Sequence, residues 1–159
     1  MTGFGTVRRD GERGAVRFER RYATTPEDLW DAWTSPERIA RWMGATVTGP
    51  VVPGGAVTLA WGPEPEARVR VDIDELRPPE LLRWRWTVHG AEPTVLRVEL
   101  RPSPGGTLLV LDHCMLPGDQ TAGMSAGWHN HLDALASGTG AGDWWPRYVE
   151  DYRERLAAL

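Results

Sequence analysis

Lysine is absent: all 18 basic residues of this 159-residue chain are arginine, so no side-chain amine exists to form a Schiff base. Cysteine is nearly absent too, and the single Cys114 excludes an internal disulfide. No stretch approaches the roughly 18 consecutive apolar residues of a membrane-spanning helix. The first fourteen residues are polar and glycine-rich, unlike the apolar core of a secretion signal, so a cytoplasmic location is expected. An excess of positive charge is lacking as well. Eighteen basic against 22 acidic residues leave a net charge of -4, which argues against nucleic acid or an anionic membrane as partner.

Catalytic constellations are also missing. Glu75 and Glu99 do not form an acid/base pair, because Glu99 reads outward on its strand. Cys114 shares a face with Asp112 and has no histidine base beside it. His129 and His131 stand two residues apart on a helix, about 200° around its axis, so they cannot share one ion; a zinc site needs three or four converging ligands. Neither a metal nor a cofactor is expected.

What the chain has in quantity is tryptophan, nine residues, with 13 prolines and 18 glycines punctuating short segments. The length fits one domain. A flexible lead over residues 1–14 is expected, then a single domain over 15–159 in which 143–159 form an extra helical segment. Ala15 to Tyr22 alternates as a half-buried strand, with Val16, Phe18, Arg20 and Tyr22 inward. Thr25-Pro26-Glu27-Asp28 combines a capping side chain, a first-turn proline and two acids, and predicts a short helix; Ser35-Pro36-Glu37 starts a second. Strands are predicted around 45–48, 56–61, 67–76, 81–88, 94–101 and 107–116, the last with Leu109, Leu111, His113 and Met115 inward. Trp128, Leu132 and Leu135 then form one helical stripe. Three glycines between Ser137 and Gly142 read as a hinge, and Asp143 as the cap of a final helix whose Trp145, Tyr148, Tyr152 and Leu156 share a face.

The run from Arg20-Tyr22-Ala23 into Thr25 to Trp33, then Pro36 to Trp42, the turns Pro53-Gly54-Gly55 and Gly105-Gly106-Thr107, and Gly127-Trp128-His129-Asn130-His131-Leu132-Asp133-Ala134-Leu135 resembles the START-like SRPBCC superfamily. It is most similar to the branch named after the C-terminal domain of the activator of the 90-kDa heat-shock-protein ATPase. The resemblance covers roughly residues 14 to 137. It implies an α+β helix-grip fold, in which a curved antiparallel sheet wraps a long C-terminal helix and encloses an apolar cavity. Members bind lipids, polyketides, hormones and other hydrophobic small molecules, and a minority catalyse cyclisation or dehydration there.

A small hydrophobic or aromatic ligand is therefore the expected partner. The inward residues Trp61, Trp84, Trp86, Val71, Leu96, Val98, Leu111 and His113, with Trp128, His131 and Leu132 opposite and Trp42 near the mouth, are the candidate ligand-binding residues. Aromatic walls of about 150 to 250 Å² per side chain suit a pocket, and equally they fill a core. His113 is either a satisfied structural histidine or a ligand contact. Arg20 is the candidate polar handle: it snorkels at the strand end, meets an acid such as Glu75, or contacts a ligand carboxylate. Two other functions stay open, an enzyme of cyclase or dehydratase type using the same cavity, and an interaction module in which the Trp145, Tyr148, Tyr152 and Leu156 face docks a partner or a second copy. Arg68, Arg70, Arg83, Arg85 and Arg97 share their face with Asp72, Asp74 and Glu99, so ion pairing accounts for them more simply than nucleic acid does.

Overall fold

A computed structural model describes residues 3–138 and 144–159. Eight strands form one antiparallel sheet in the order β1-β2-β8-β7-β6-β5-β4-β3. The strands are β1 (Thr6–Asp10), β2 (Arg13–Tyr22), β3 (Thr46–Thr48), β4 (Ala56–Ala60), β5 (Arg68–Arg77), β6 (Leu81–Val88), β7 (Thr94–Ser103) and β8 (Gly106–Pro117). Helices α1 (Pro26–Thr34) and α2 (Pro36–Met43) follow β2, and α3 (Thr121–Ser137) and α4 (Trp144–Ala157) end the chain. This is the expected α+β arrangement, a meander whose dry face is covered by α3.

The alternating strands obey their pattern. Val69, Val71, Ile73, Leu82, Trp84, Trp86, Leu96, Val98, Leu100, Leu109 and Leu111 are all buried on the concave side. The outer face is laced with ion pairs, Arg85 to Asp74 at 3.0 Å and Arg70 to Asp72 at 3.0 Å among them; Arg70, Arg85 and Arg97 are paired as expected, while Arg68 and Arg83 make no ion pair with a described residue. In α1 the Thr25 hydroxyl accepts the Asp28 backbone N–H at 3.1 Å. Thr25→Ala is expected to cost about 1 kcal/mol of stability; an unchanged melting temperature would contradict that role.

Four expectations need correction. The polar lead contains a strand: Thr6–Asp10 pairs with β2 along the sheet edge, and only its Val7 is buried, which left no alternation to read. Met115 points outward, 52% exposed at φ 64°, because a bulge opposite Gly14 and Val16 breaks the alternation of β8 and brings Leu116 inward. A second bulge between Ile73 and Glu75 takes Glu75 out of the inward register, and its carboxylate pairs with Arg77 at 3.0 Å. Finally, Tyr148, Tyr152 and Leu156 are buried against the body of the domain, so of the expected docking face of α4 only Trp145 is exposed. The expected cap at Asp143 and residues 139–142 of the glycine segment lie outside the described residues.

Helix α4 is held by a polar cluster on one side of α3. The Gly5 N–H donates to the Tyr152 hydroxyl at 2.8 Å, and that hydroxyl donates to His129 Nδ1 at 2.9 Å. Tyr148 donates to Asp133 at 3.1 Å. Arg20 joins the same cluster, with one guanidinium nitrogen 2.8 Å from Asp133 and others donating to the Gly3 carbonyl at 2.6 and 3.1 Å. Its partner is thus Asp133 on α3, neither Glu75 nor a ligand.

Candidate functional site

The middle of the grip is filled. Trp33 of α1 is fully buried, and its ring centroid lies 4.7 Å from Trp42, 5.7 Å from Trp84 and 5.9 Å from Trp128. Around this stack Val71, Leu96, Val98, Leu111 and Leu132 are buried in close packing. Space remains to one side, where β5 begins and β6 ends. There a cavity of about 710 Å³ is bounded by Trp61, Val69, Trp86 and Val88 from the sheet side, by Gly123, Met124, Gly127, Trp128 and His131 of α3, and by Trp145, Val149 and Arg153 of α4. That volume falls within the range of small-molecule sites.

The rings of this wall touch one another. Trp86 lies 5.3 Å from Trp128 and 6.3 Å from Trp61, and His131 stacks on Trp61 at 5.9 Å with 26° between the planes. The Trp61 indole is fixed by donating to the Met43 carbonyl at 2.9 Å. Trp86 Nε1 and His131 Nδ1 are buried and have no hydrogen-bond partner among the described residues, and the same is true of Trp33 Nε1 and Trp84 Nε1 in the packed interior. Burial holds the His131 imidazole down to about 4, so the ring is neutral at physiological pH.

Helix α3 meets the cavity with no side chain at two places. Gly123 and Gly127 are one helical turn apart on the face that also carries His131. A Cβ at Gly127 would meet nothing within 4 Å, whereas one at Gly123 would come within 3.1 Å of the Trp145 ring. Glycine inside a helix is about 1 kcal/mol less favourable than alanine. At Gly127 that cost keeps the space open.

Of the sequence-predicted site residues, the cavity gathers Trp61, Trp86, Trp128 and His131. It leaves Trp42, Val71, Trp84, Leu96, Val98, Leu111 and Leu132 in the packed interior, a correction whose cause is the insertion of Trp33. His113 is likewise behind the wall. Its Nδ1 accepts the Trp128 indole N–H at 2.9 Å, and its Nε2–H donates at 2.7 Å to the Thr94 hydroxyl, which itself donates to the Trp86 carbonyl at 2.8 Å. Both ring nitrogens are spent, and burial holds the imidazole down to about 3. His113 is therefore a neutral structural histidine. The glycine pair, Met43, Trp145 and the rim residues Glu66 and Asp119 were not foreseen; a glycine at i and i+4 on an otherwise apolar helix face was the available signal.

Residues 23–139 match the family model described as Activator of Hsp90 ATPase homolog 1-like protein. No curated protein matches the chain. Among solved structures, the chain is similar to CalU16 from Micromonospora echinospora at 25% identity and a TM-score of 0.81, with 100% of this chain and 98% of that one covered. A conserved protein of unknown function from Enterococcus faecalis, EF2215, aligns with a TM-score of 0.77 at 18% identity, over 98% of this chain and 91% of its own. The Aha1 dimer from Colwellia psychrerythraea aligns with a TM-score of 0.69 at 18% identity, over 79% of this chain and 98% of its own. No helix among the described residues is long and apolar enough to cross a membrane.

Proposed function

The chain belongs to the Activator of Hsp90 ATPase homolog 1-like family, and from that premise we propose that it binds a small hydrophobic or aromatic ligand in the cavity between sheet, α3 and α4. The observation that carries this reading is an aromatic wall facing a helix stripped of side chains at Gly123 and Gly127. Tryptophan and neutral imidazole faces supply the apolar area that a ligand of this kind needs. The enzymatic reading loses both of its handles, because His113 is spent behind the wall and Arg20 is paired with Asp133 on another side of the domain.

N-phenyl-1-naphthylamine, a neutral probe that brightens in apolar surroundings, tests the proposal. Saturable one-to-one uptake with quenching of tryptophan emission is expected. Absence of saturable uptake, with the protein folded, overturns it.

A further inference from the structure

The cavity mouth carries two acidic side chains, Glu66 and Asp119. Eighteen arginines serve this chain, and on the outer face of the sheet Asp72, Asp74, Glu99 and Asp112 each hold at least one. Glu66 and Asp119 do not. They stand on two single-turn 3-10 segments, Pro65–Ala67 and Gly118–Gln120, both are exposed and both line the cavity. Neither makes an ion pair or a side-chain hydrogen bond with any described residue. Arg153, the one arginine among the described wall residues, lies 3.7 Å from Glu150, so its charge is offset by a neighbour as theirs are not.

Inside the mouth the wall is made of electron-rich faces, Trp61, Trp86, Trp128 and Trp145, with a neutral His131 among them. Such faces attract a cation, more strongly once it leaves bulk water. We infer that the cavity takes an organic cation: an aromatic or polycyclic body bearing a protonated amine, the ring against the tryptophans and the amine toward Glu66 and Asp119. This rests on the reading of the cavity as a ligand site.

A matched set of 2-(2-naphthyloxy)ethylamine, 2-(2-naphthyloxy)ethanol and 2-naphthyloxyacetate tests it, because the three share body and ether oxygen and differ in charge. Calorimetric titration at low salt is expected to rank amine above alcohol above carboxylate, with the amine roughly five- to tenfold tighter than the alcohol. That preference should shrink at 0.5 M salt, where the Debye length falls to about 4 Å from about 30 Å in dilute buffer, and vanish in the Glu66→Gln, Asp119→Asn double variant. Both positions are exposed and unpartnered, so the variant keeps the fold. Equal affinities, a preference for the carboxylate, or an amine preference that survives the double variant overturns the inference and leaves the hydrophobic site standing. If none of the three binds, and N-phenyl-1-naphthylamine does not bind either, the site itself is refuted.

Discussion

Gly127→Phe is expected to lower the affinity for N-phenyl-1-naphthylamine by at least roughly tenfold while the protein stays folded. The new ring enters space that is empty next to the helix backbone, since a Cβ there meets nothing within 4 Å. It displaces the ligand without displacing a neighbour. Gly127→Ala separates the two consequences of the glycine. It should raise stability by about 1 kcal/mol, because alanine removes conformational freedom from the unfolded chain and restores helix propensity, and it should narrow the cavity only slightly. Alanine at Gly123 has no such margin, because the Trp145 ring stands 3.1 Å from the added carbon. A folded Gly127→Phe protein that still takes up the probe with unchanged affinity sinks the assignment of this cavity.

Acid is expected to unfold the domain through its histidines. Burial holds His113 down to about 3 and His131 down to about 4, and it holds His129 down to about 4 against the opposing pull of Asp133. In the unfolded chain each titrates near 6.5. Between about pH 6.5 and 4 the unfolded state therefore binds more protons than the folded state, so stability falls as pH falls. Each histidine contributes up to about 1.4 kcal/mol per pH unit. With a total stability of about 5–15 kcal/mol typical of a domain, three such groups bring unfolding within reach above pH 4. Urea midpoints measured from pH 7 down to pH 4.5 should drop steadily, and His131→Gln should remove close to a third of the slope. A flat profile over that interval contradicts the neutral, buried assignment.

Much of the fold could be read from the sequence, and its unread parts share a cause. Strand alternation records burial directly: the side chains of Val69, Val71, Trp84, Trp86, Leu96 and Val98 turn inward where period two placed them. Helix starts were equally legible at Thr25 and Ser35 because a first-turn proline and acid act locally, although only the Thr25 side chain makes a capping bond. Edge strand β1 was not, since with one neighbour it needs only Val7 buried and carries charge elsewhere, as edges do. The site was half legible for the same reason. Four of the expected aromatic residues, Trp61, Trp86, Trp128 and His131, line the cavity, but whether an inward tryptophan lines space or fills it depends on Trp33, which arrives from a helix whose packing no period encodes. Arg20 finds Asp133 across 113 positions of sequence, and a glycine face contributes nothing to an apolar stripe. Glu66 and Asp119 sit in short turns, where composition gives no direction.

The hydrogen-bonded chain through His113 ties α3 to the sheet behind the cavity wall. One imidazole on β8 grips the Trp128 indole on α3 and, through the Thr94 hydroxyl of β7, reaches the backbone of β6 at Trp86, so the two tryptophans that meet on the wall are anchored to one relay. Lifting the helix from the sheet would orphan an indole N–H and an imidazole nitrogen in a dry interior. The hinge for any widening of the cavity therefore lies elsewhere than at Trp128.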